Sequence, residues 1–161
     1  MEKEIYRHYG SKHFNMDLFL KARNKPFSNK PHGGLWASPT KNVDVSWEEW
    51  CKGNDYNVDK LGTYFDFTLK DNANVLTIIS KEDLNNLPRI EKDEENMLFY
   101  EGDRMNTDID FEEIAKNYDA IMVWIYRDSL STTFSGIYYD LYGWDCDSLL
   151  VLNPKVIEEV N

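Results

Sequence analysis

The chain of 161 residues is 42% hydrophobic and 14% aromatic, enough for one domain with its own core, spanning 1–161, and short for two. Eighteen basic against 29 acidic side chains leave a formal net charge of -11, a surface that disfavours nonspecific binding to DNA or RNA phosphates and suits a basic partner. No apolar run reaches the roughly 18 residues of a membrane span, and the start has no apolar segment of signal-peptide type, so a cytoplasmic protein with no membrane contact is expected.

Cys51 and Cys146 lie far apart and outside any Cys-x-x-Cys spacing, so they read as reduced thiols and not as a zinc or redox site. No internal repeat or low-complexity tract marks a boundary. Hydrophobic spacing predicts a strand over 5–9, ended by Gly10 and Ser11, then a short helix over 16–22. Residues 24–39 hold Pro26, Pro31, Pro39 and the pair Gly33-Gly34, which predicts a long connection, uncommon unless it has a task. Ser46 and Glu49 make a capping box for a helix over WEEWCKG that Gly53 should stop. Strands over 63–69 and 74–79 follow, joined through Lys70-Asp71-Asn72 as a hairpin. Ser80 caps a helix running to Asn86, and Pro88 stops it.

The charge run at 91–95 reads as solvated surface. Asp110 caps a helix over 111–118, Asp119-Ala120 turns the chain, and 121–126, the most apolar stretch, reads as a buried central strand. A polar loop over 128–133 leads to 136–142, aromatic and open between strand and loop. A last strand over 149–152 and a short terminal helix from Pro154 complete an α+β fold with a mainly antiparallel sheet.

Chemistry concentrates in three segments, His8-Tyr9-Gly10-Ser11, Gly33-Gly34-Leu35-Trp36-Ala37-Ser38 and Asp145-Cys146-Asp147-Ser148. Glycine beyond a strand lets a ligand approach backbone N–H and C=O groups, which suits a planar carboxamide. Trp36 can wall such a ring. Asp145 and Asp147, at i and i+2, face one way on an extended strand and can converge on a developing cation.

In motif order the chain resembles the ADP-ribosyltransferase superfamily, whose members run from a strand ending in His-Gly-Ser/Thr through a Gly-x-(Tyr/Phe)-x-(Ser/Ala) segment to a strand beginning at a catalytic acid. The matching pieces here are HYGS, GLWAS and DCDSLLVLNP, and the likeness spans most of the chain. It implies a split, mainly antiparallel sheet with short flanking helices and an NAD cleft. It also implies a mono-ADP-ribosyltransferase activity that consumes NAD, releases nicotinamide and modifies a protein or nucleic-acid acceptor, with NAD hydrolysis as a variant. Gly10 would hold the nicotinamide carboxamide through its backbone, with Ser11, Gly34, Trp36 and Ser38 around the cofactor, and with Ser46, Trp47 or Trp50 where relatives place a serine and a second aromatic.

Aligning on Gly10-Ser11 puts Tyr9 where histidine is expected and His8 one residue earlier on the opposite face, so both are candidates for the group that meets the ribose hydroxyl. Asp147 takes the place of the catalytic glutamate, one methylene shorter, and Asp145 that of the earlier acid of a Glu-x-Glu pair. Strict register on LLVLN puts Ser148 in that slot. These departures and the charge of -11 define the alternative, a catalytically silent protein of the same fold that binds or inhibits a basic partner.

Overall fold

The protein is described by a computed structural model covering residues 2–25, 28–91, 107–127, 141 and 143–160. In chain order the strands are β1 (Tyr6–Tyr9), β2 (Arg23–Lys25), β3 (Ser28–His32), β4 (Leu35–Pro39), β5 (Tyr64–Leu69), β6 (Val75–Ile78), β7 (Arg89–Glu91), β8 (Thr107–Ile109), β9 (Ala120–Val123), β10 (Ser148–Val151) and β11 (Ile157–Glu159). Helices α1 (Trp47–Asn54), α2 (Lys81–Asn85) and α3 (Phe111–Ile114) are short. Seven strands form one sheet in the order β11-β5-β1-β4-β10-β9-β6, and β2-β3 and β7-β8 pair separately. Within the large sheet only β6 and β9 run parallel. The fold is therefore α+β and mainly antiparallel, and no helix among the described residues is long and apolar enough to cross a membrane.

Period-two alternation builds a core on each face of the sheet. Ile121, Val123 and Leu150 join Leu84, Ile109, Phe111, Ile114 and Trp144 on one side. Ala120, Met122, Leu149 and Val151 join Phe65, Phe67 and Val156 on the other. β9 and β10 are buried along their whole length, and each such Leu or Ile contributes about 1.5–3 kcal/mol. The buried strand expected over 121–126 is β9, but it ends at Val123, and Tyr126 is exposed. The capping boxes at Ser46 and Ser80 form with both reciprocal bonds, and Asp110 accepts from Glu113 N.

Several expectations are corrected. The helix over 16–22 is one 3-10 turn, Met16–Leu18, because Phe19 turns extended and Leu18 and Leu20 stay exposed, leaving no apolar face to drive a helix. Residues 24–39 are not a connection but hold β2, β3 and β4. Pro31 and Pro39 are tolerated where no ladder donor is needed: Pro31 lies in a strand paired on one side, and Pro39 ends β4. Gly53 continues α1, which Asp55 terminates in the left-handed region.

The hairpin of β5 and β6 does not form. β5 pairs with β1 and β11, whereas β6 lies beside β9. Asn74 and Asp119 exchange the backbone bond Asp119 N–H to Asn74 O (2.7 Å) and the bond Asn74 N–H to the Asp119 carboxylate (2.8 Å), which commits the chain to β9. The helix over 111–118 is cut to α3, and the strand over 149–152 is not the last, since β11 follows the 3-10 turn Pro154–Val156. Residues 92–95, 128–133 and 136–142 apart from Leu141 lie outside the described residues.

Candidate functional site

β4 is shared unevenly. β1 pairs with its end, Tyr6 and Arg7 opposite Pro39 and Ser38, while β10 takes Leu35, Trp36 and Ala37. Beyond Arg7 the backbones of β1 and β4 part, and the His8 ring spans the gap, its Nδ1 2.6 Å from Trp36 O. A cavity of about 240 Å³ opens there. Its walls come from all three chemistry-bearing segments: His8 and Tyr9, Trp36 and Ser38, and Asp145, Cys146 and Ser148. Trp47 of α1 and Lys30 of β3 complete it.

A carbonyl can only accept, so His8 Nδ1 carries the proton and Nε2 is left as the acceptor. Burial lowers the His8 pKa, with the bond to Trp36 opposing it, so the neutral ring is favoured. Tyr9, one residue on, has its hydroxyl 3.5 Å from the Glu48 carboxylate, and burial together with that carboxylate pushes its pKa up to about 12. Arg7 is held bidentately by Asp66 at 2.7 and 2.8 Å and lies over the Tyr64 ring. Trp36 meets Trp144 edge-on with centroids 4.7 Å apart. Trp47 stacks on Trp50 with centroids 5.2 Å apart, and Trp50 is outside the cavity wall.

Of the two candidate acids only Asp145 lines the cavity. Asp147 is fully buried and faces elsewhere: its Oδ2 accepts from Asp44 N at 2.9 Å and Val45 N at 3.4 Å, and its own N–H donates to Val45 O. Burial raises its pKa, with those N–H donors opposing the shift. Ser38 completes this junction, donating to Asp147 O at 3.2 Å and accepting from Trp47 N at 3.0 Å. Together they tie the loop before α1, and with it Trp47, to β10. Ser148 stands in the wall where Asp147 does not, its hydroxyl donating to Cys146 O. Burial pushes the Cys146 thiol up, which leaves it a poor nucleophile.

Gly10 has a φ of 111°, but its N–H is already given to Thr63 O at 2.9 Å, which removes the donor half of a carboxamide clamp. Ser11 and Gly34 line a second cavity, about 310 Å³, which also includes His8, Phe14 and Phe65. Arg7, His8 and Tyr9 of β1 all line the first cavity, and of the three only His8 also lines the second. Ser46 serves as the cap of α1 and lines neither. Sequence reading missed Arg7 and Lys30. Arg7 lies inside a correctly predicted strand, and Lys30 sits in β3, whose sequence SNKPH has no apolar alternation to signal a strand.

Among the described residues no cluster of His, Cys, Asp and Glu is arranged to hold a metal. No protein-family model, curated protein or solved structure matches this chain.

Proposed function

We propose that the protein is an NAD-dependent mono-ADP-ribosyltransferase of the ADP-ribosyltransferase fold, with the cavity between β1 and β4 taking the nicotinamide riboside half of NAD. The observation that carries this reading is the convergence of the three motif segments at the one place where β1 and β4 separate. Trp36 and Trp47 offer aromatic walls for the pyridinium ring. His8 presents Nε2 to a ribose hydroxyl, which favours His8 over Tyr9 as the first-motif residue.

The reaction breaks the bond between nicotinamide and ribose through a transition state with oxocarbenium character. Asp145 is the carboxylate that would face that cation and draw a proton from the acceptor nucleophile, so it takes the role that the motif alone assigned to Asp147. A water acceptor in place of a macromolecule gives NAD hydrolysis. The second cavity, sharing His8, offers space for the adenosine end of the dinucleotide.

The test is nicotinamide release from labelled NAD in a cell lysate. Asp145→Asn should lower turnover by about 10²-fold or more, with NAD affinity changed only a few-fold. Transfer of label to a macromolecule separates transferase from hydrolase. Absence of release by the wild-type protein would contradict the proposal.

A second reading is favoured by Ser148 standing in the cavity wall and by the occupied N–H of Gly10: a silent protein of this fold that binds a basic partner through its acidic surface. Salt-sensitive association that needs no NAD and survives Asp145→Asn would support it.

A further inference from the structure

Lys30 is a charged group in the cavity wall that the reaction above leaves unused. Its aliphatic stem lies against Gly143, where an added Cβ would stand 3.3 Å from Lys30 Cδ, so glycine makes room for it. The ammonium is 5.2 Å from the centroid of the Trp36 ring. The side chain is half-buried and has no carboxylate partner among the described residues. Arg7, the other fixed cation of the wall, is already neutralised by Asp66.

Asp145 lines the same cavity, its carboxylate likewise without a partner among the described residues, and the two do not bridge each other. A partly desolvated cation and anion left apart in one cavity are costly unless a ligand supplies the complementary charges. NAD carries both, a cationic pyridinium at one end of the riboside and an anionic pyrophosphate at the other. The net charge of -11 repels such an anion at long range, and an unpaired lysine in the wall offsets that repulsion where it matters.

Resting on the reading of this cavity as an NAD site, we propose that Lys30 binds the pyrophosphate and makes the site select the dinucleotide over its phosphate-free nucleoside half. The hairpin of β2 and β3 is thus part of the binding site and not only a surface flap.

The experiment titrates NAD and nicotinamide riboside, which keeps the pyridinium and lacks phosphate, by the tryptophan fluorescence of Trp36 and Trp47. Lys30→Gln should weaken NAD binding about tenfold and leave the riboside within about twofold, with Lys30→Arg restoring most of the NAD affinity. The NAD affinity of Lys30→Gln should also depend less on salt than that of the wild type. Unchanged melting temperatures of the free variants establish that they fold. An NAD affinity of Lys30→Gln within about twofold of wild type, or an equal loss for the riboside, overturns the role of Lys30 while leaving the NAD site standing. Failure of the wild-type protein to bind either ligand overturns both.

Discussion

His8 is half-buried and Asp147 fully buried; burial moves their pKa values in opposite directions, and their contributions to stability follow. The His8 pKa is lowered, so its contribution is present above the ordinary value near 6.5 and is lost as pH falls through the folded-state value. Between about pH 7.5 and 5 the wild type should lose more melting temperature than His8→Gln, whose amide can still donate to Trp36 O. Parallel losses would show that His8 does not titrate in the folded chain.

Asp147 behaves the other way. Its pKa is raised, so its contribution is fully present below about 3.8 and declines as pH rises through the folded-state value. The wild type should therefore lose stability relative to Asp147→Asn as pH rises from about 4 to 7, measured by urea unfolding at each pH. Asp147→Ala leaves the N–H groups of Asp44 and Val45 without their acceptor and should cost about 1–3 kcal/mol. If Asp147→Asn instead abolished nicotinamide release while melting like the wild type, Asp147 would be the catalytic acid and not the tether described above.

At the scale of elements, local chemistry was legible and pairing was not. Ser46, Ser80 and Asp110 cap helices where they were expected because a capping box is decided within four residues. β5 and β6 were both recognised, yet their partners depend on Asn74 meeting Asp119, 45 positions apart, which no local pattern reports. Pro31 argues locally against a strand, although β3, paired with β2 on one side, loses nothing by it.

The entry into β4 depends on Gly33 and Gly34, with φ of 74° and 67°. A Cβ on Gly33 would stand 2.4 Å from Lys21 O, a backbone atom, and one on Gly34 equally close to Leu150 Cδ1. Both alanine substitutions should destabilise by at least about 1–3 kcal/mol, Gly33→Ala more, because backbone yields less than a side chain. Gly53 gives the contrasting case. It lies inside α1 with nothing within 4 Å of an added Cβ, so Gly53→Ala should stabilise by about 0.5–1 kcal/mol in thermal melts. Destabilisation there would place the end of α1 at Gly53 after all.

For the whole molecule, the α+β class and the mainly antiparallel sheet followed from alternation and turn residues, while the site was legible in part. The three segments were visible as motifs, and the sheet brings them to one cavity. Their internal assignment was not visible, since a one-residue change of register exchanges Asp147 for Ser148 in the wall, and the pairing of β10 with β4 and β9 fixes it. Lys30 enters from a separate hairpin, beyond the reach of any motif.

The central claim is that the gap between β1 and β4 binds the nicotinamide riboside of NAD. A crystal structure determined with a hydrolysis-resistant NAD analogue tests it most directly. The pyridinium ring is expected against Trp36 and Trp47, a ribose hydroxyl on His8 Nε2, and the Asp145 carboxylate beside the anomeric carbon. An analogue bound elsewhere, or a gap that stays empty under saturating ligand, would contradict the account.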